Sequence, residues 1–143
     1  MSGTATPGLA VGLRHVAKVT VTDDMTPAHL RHEPLRVLST PDMIRLIERT
    51  AIEAVQPHLA SGQATVGTRV DVAHLAGTLV GMTVTITVEL TEVDRRRLVF
   101  RVEVRDEVDE AGRGTHERVI VDGAQRLPRL EAKLARWKAA AGG

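Results

Sequence analysis

The 143-residue sequence contains no cysteine and no tyrosine, one phenylalanine and one tryptophan. Without cysteine there is no disulfide, no thiolate metal site and no thiol nucleophile. So few rings leave no platform on which the bases of a single strand could stack. Excess charge is missing too: 19 Lys+Arg stand against 18 Asp+Glu, which removes the basic footprint of a nucleic-acid-binding protein. No apolar run approaches the roughly 18 residues that cross a bilayer, and the opening MSGTATPGLAVGLRHV has no apolar signal core. Neither a Gly-x-Ser-x-Gly elbow nor a Walker sequence occurs, and GRGTHER lacks the third glycine of a dinucleotide fingerprint. These absences predict a soluble cytoplasmic chain with an aliphatic core and neither nucleic acid nor membrane as partner.

What is present is patterned. STPDMIRLIERTAIEAVQPHL begins with helix-start chemistry, Thr40 as N-cap, Pro41 at the first helical position and Asp42 in the first turn, so a helix over about 41–59 is predicted. Before it, LRHVAKVTVT reads as a first strand, and the segment with Pro27 and Pro34 as irregular or partly helical. After it the period becomes two. ATVGTRVDVAH sets Val66, Val70, Val72 and His74 on one face; MTVTITVEL does the same for Val84, Ile86, Val88 and Leu90, and LVFRVEVRDE for Leu98, Phe100, Val102 and Val104. EVDRRR and VDEAGRG read as turns, THERVIVD as a last strand, and LPRLEAKLARWKAA as a terminal helix packing through Leu130, Leu134 and Trp137. The prediction is one α+β domain over 1–143, with a core from about 13 to 122, a terminal helix over about 128–140, and an antiparallel sheet of about five strands on one long helix. One helix covers one sheet face, so a homodimer is expected.

Glu48 is the first residue to suggest chemistry. On a wheel of about 100° per residue starting at Ile44, it falls near 40°, between Val55 at about 20° and Leu59 at about 60°. A carboxylate kept in an apolar stripe needs a hydrogen bond, a partner or a reaction. His74 is the second, at the inward end of its strand; a hydrogen-bonded core histidine is the ordinary alternative. A sheet wrapped on the helix would bring the two together, and carboxylate with imidazole makes a base or nucleophile with a proton donor. HLRH offers His29 and His32 without the further ligands a metal needs. Arg95, Arg96 and Arg97 occupy a turn, with solvation or phosphate binding as their readings.

Together, the helix segment and TVGTRVDVAHLAGTLVGMTVTITVELTEVDRRRLVFRVEVRDEVDEAGRGTHERVIVD resemble the fluoroacetyl-CoA thioesterase-like family of single-hotdog proteins, from about Val37 to Asp122. The resemblance implies a long helix wrapped by an antiparallel sheet, two subunits pairing to form the active sites, and hydrolysis of an acyl-CoA without metal or other cofactor. It further implies Thr40, Glu48 and His74 as the catalytic group and Gly67 and Arg118 as substrate-binding residues. The family's lid phenylalanines have no counterpart in TPAHLRHEPLRVLS, so the acyl group stays open. A non-catalytic acyl-CoA or small-ligand-binding hotdog protein is the alternative. A hydratase ranks last, because the Asp-x-x-x-x-His spacing is absent: Asp71 is followed five residues on by Ala76.

Overall fold

Alternation in two segments builds the floor of the molecule. Val84, Ile86, Val88 and Leu90 of one strand and Leu98, Phe100, Val102 and Val104 of the next are all buried, each stabilising the fold by ~1.5–3 kcal/mol. The computed structural model describes residues 8–142. Its elements run β1 (Arg14–Thr20), α1 (Thr40–Val55), β2 (Gln63–His74), β3 (Thr83–Asp94), β4 (Arg97–Arg105), β5 (Glu110–Asp122) and α2 (Gly123–Gly142). Short 3-10 turns at Asp23–Met25, Ala28–Leu30 and Gln56–His58 fill the irregular stretches. All five strands form one antiparallel sheet in the order β1-β3-β4-β5-β2, with α1 against its inner face. The α+β hotdog architecture is the predicted one.

Five local expectations need correction. The cap of α1 is Ser39, whose hydroxyl accepts from the Asp42 amide; Thr40 is the first helical residue. The buried face of α1 is Met43, Leu46, Ile47, Thr50, Ala51, Ala54 and Val55, centred about 115° from Glu48 on the same wheel. Ile44, Glu48 and Ile52 form a separate line along its flank, because the sequence carries two apolar lines that a wheel anchored on Ile44 merges. In β2, Val66 does not share a face with Val70, since a bulge at Thr68 switches the parity. AGRG is not a turn: β5 begins at Glu110, and Gly112 and Gly114 pair with His74 and Val72. Finally, α2 starts directly after β5 and leaves Leu130, Leu134 and Trp137 exposed at 48%, 44% and 68%, because it runs off the end of β5 instead of folding back on the sheet.

The cap assignment is testable. Ser39→Ala should cost about 1 kcal/mol in chemical unfolding, and Thr40→Ala clearly less; the reverse order would return the cap to Thr40.

Candidate active site

Thr40 meets His74 because two flanking loops are stitched together. Val37 bridges Leu79, the Leu38 amide donates to the Thr78 carbonyl at 2.8 Å, and the Val80 amide donates to the Arg36 carbonyl at 3.0 Å. This ladder docks the start of α1 on the end of β2. With Ser39 serving the helix terminus, the Thr40 hydroxyl is free to bond His74 Nδ1 at 2.7 Å. The other ring nitrogen, Nε2 of His74, is buried and has no hydrogen-bond partner. A hydroxyl both donates and accepts, so Thr40 can follow either tautomer of this ring.

Glu48 lies elsewhere, over the middle of β2. Its Oε2 accepts from Nη1 of Arg118 at 3.3 Å; the arginine side chain is 3% exposed and the carboxylate 40%. Arg118 is anchored to Thr65 through Nε on the hydroxyl at 2.8 Å and Nη2 on the carbonyl at 3.0 Å. Burial lowers the Arg118 pKa while Glu48 opposes that shift, and the guanidinium remains a cation. Gly67 sits opposite Arg118 in the register. A Cβ there would run into the Glu48 carboxylate and approach Nη1 of Arg118 to 3.2 Å, so only glycine leaves the acid its place.

The sequence reading missed His116, which is fully buried. Its Nδ1 lies 2.8 Å from the Arg69 carbonyl and its Nε2 lies 3.1 Å from Nη1 of Arg118. Burial lowers its pKa; the bond to the Arg69 carbonyl opposes this, and the Arg118 charge lowers it further. The available signal was parity: His116 and Arg118 are two apart on β5 and therefore share a face.

Two clusters result, Thr40–His74 and Glu48–Gly67–Arg118–His116. They share no hydrogen bond among the described residues. Eight steps of helix rise separate Thr40 from Glu48, about 12 Å, so one chain does not join Glu48 to His74 as the sequence suggested. Arg97 is taken up by Glu92 at 2.7 Å and Glu117 at 2.9 Å, while Arg95 stays 91% exposed beside Asp94. An open cleft of about 710 Å³ lies on the outer sheet face between Arg14, Glu89, Arg101, Glu103 and Arg113, and neither cluster lines it.

Comparison with known proteins decides the family. The family model described as fluoroacetyl-CoA-specific thioesterase matches residues 21–124. The chain belongs to that family. A fluoroacetyl-CoA thioesterase from Streptantibioticus cattleyicolor is 38% identical over 141 residues, covering 94% of this chain and 98% of the relative. Among solved structures, a fluoroacetyl-CoA thioesterase superposes with a TM-score of 0.80 at 36% identity, covering 88% of this chain and 98% of the other. A Thermus thermophilus member of the thioesterase superfamily superposes with a TM-score of 0.83 at 28% identity, covering 93% and 98%. For this member of the thioesterase family, the contact at Gly67 yields a double-mutant test. Gly67→Ala should cost up to about 1 kcal/mol of unfolding free energy, because the carboxylate it displaces is the half-exposed end of a flexible side chain, and less than that in a Glu48→Ala background. An undiminished cost there would place the clash on another group.

Proposed function

We propose that the chain hydrolyses a small acyl-CoA thioester, with Thr40, Glu48 and His74 as the reacting group and Gly67 and Arg118 beside the acyl carbon. The observation that carries this reading is the Thr40–His74 hydrogen bond at 2.7 Å with a buried, unpartnered Nε2 behind it. An unsatisfied buried nitrogen costs about 1–3 kcal/mol, a cost that substrate or a reacting water offsets. Glu48 attacks the thioester carbonyl or activates water against it, and His74 assists departure of the thiolate. The Gly67 amide faces the developing oxyanion. Water is the co-reactant and no cofactor enters.

The two clusters meet across a homodimer. β2 is an edge strand of 12 residues, a template for a second copy, and Ile52 beside Glu48 is 37% exposed. Antiparallel pairing of two β2 strands about an axis through Asp71 pairs Val70 with Val72 and Arg69 with Ala73 and, with Thr68 bulged out, sets Gly67 of one copy opposite His74 of the other, bringing Glu48 with it. Fluoroacetyl selectivity is not carried over, since the lone Phe100 lies in the core stacked on His116 and not before α1.

Thiol release from a panel of short, branched and aromatic acyl-CoAs tests the reading. Wild type should turn over, and Glu48→Ala and His74→Ala should each lose at least about 100-fold in kcat while staying folded. Turnover by Glu48→Ala at the wild-type rate contradicts it. A folded wild type that binds acyl-CoA and releases no thiol from any of them replaces it with a ligand-binding function.

A further inference from the structure

We propose that His116 is a positioning residue: as a neutral imidazole with its proton on Nδ1, it holds the Arg118 guanidinium in the orientation that grips Glu48, and protonation of its Nε2 releases that grip. The role in turnover rests on the thioesterase reading; the hold on Arg118 does not.

The tautomer follows from its neighbours. A backbone carbonyl only accepts, so the 2.8 Å contact to Arg69 puts the proton on Nδ1. A guanidinium only donates, so the 3.1 Å contact to Arg118 makes Nε2 the acceptor. No other protonation state satisfies both. The two hydrogens of Nη1 are then fully assigned, one to His116 and one to Glu48, while Nε and Nη2 are fixed on Thr65. The ring itself does not move freely. It is fully buried and stacked on Phe100, with centroids 6.2 Å apart and planes inclined by 27°.

The groups facing His116 are Arg118 and Glu117 from β5, the Arg69 carbonyl from β2, Glu48 from α1 and apolar Phe100 from β4. A proton added to Nε2 sets N–H against N–H and one cation against another. The guanidinium is a rigid plane, so it moves as one body: as Nη1 is driven from His116 the contacts to Thr65 loosen with it, and Glu48 loses its buried donor. Burial delays this event to below the ordinary histidine range. The unfolded chain, with its imidazole near 6.5, takes up the proton first, so stability falls as pH drops below about 6.5 and levels off below the folded pKa.

The experiment follows His116 by nitrogen-15 NMR and thiol release in parallel over the acid range, on wild type, His116→Gln and His116→Leu. Glutamine keeps an acceptor where Nε2 was and does not titrate. The expected result is the Nδ1–H tautomer at neutral pH, and an acid-side loss of wild-type kcat, at steady KM, in step with His116 protonation. That loss should vanish in His116→Gln, which keeps most of the neutral-pH kcat, whereas His116→Leu should lose about 100-fold. An Nε2–H tautomer, or a folded His116→Leu with wild-type kcat, overturns the proposal. If the folded wild type releases no thiol from any acyl-CoA, the thioesterase reading fails separately. Exchange of the Arg118 guanidinium hydrogens then decides the hold itself: quickening as His116 protonates supports it, and indifference to that protonation rejects it.

Discussion

One extra residue in an edge strand sets the chemistry of this face. Gly67 pairs with Arg118 and Arg69 with Glu117, leaving Thr68 out of the register, its hydroxyl on the Glu117 carbonyl. Before the bulge the odd-numbered residues of β2 face α1, and after it the even-numbered ones do. Seven positions separate Gly67 from His74, and in a regular strand an odd separation sends them to opposite faces. The bulge alone lets a glycine that accommodates Glu48 and a histidine that meets Thr40 lie on the same side of the sheet. It also twists an edge strand, the element through which a second copy would be reached.

On this frame the polar groups divide by rigidity. Arg118 is buried with four of its five hydrogens placed, on Thr65 twice, His116 and Glu48. Glu48 is the loose end, more than a third exposed, held by one donor and seated over a glycine. His74 has the complementary character: Nδ1 fixed by Thr40, Nε2 buried and unused. A buried cation behind a partly exposed carboxylate, and an imidazole with one nitrogen held and the other buried, suit a reaction in which charge moves from an acid to a departing thiolate.

The sheet was legible in the sequence because residues 83–90 of β3 and all of β4 alternate and hide every second residue. The helix was legible in extent but not in rotation. Ile44 and Ile52 are as apolar as the core residues, and nothing local says they lie on a flank. Capping was misread by one residue because Ser39 and Thr40 both have the right chemistry; only the loop ladder from Val37 to Val80 decides which one is free. The bulge at Thr68 left no mark in the pattern, so Val66 was given the wrong face. Glu48 and His74 stood out by their inward phase, whereas the roles of Thr40, Gly67 and Arg118 came through resemblance, which transmits identity but not connectivity. That Glu48 reports to Arg118 and Thr40 to His74, about 12 Å apart along one helix, needed coordinates.

The central claim is that these two clusters work together across two copies of the chain, and complementation tests it most directly. Glu48→Ala and His74→Ala chains, each inactive alone, are mixed under exchange conditions, and mixed dimers are verified by native mass spectrometry. A shared site predicts recovery of about a quarter of wild-type thiol release, since half the dimers are mixed and each holds one intact site. A mixture as inactive as its parents, with mixed dimers present, would contradict the account.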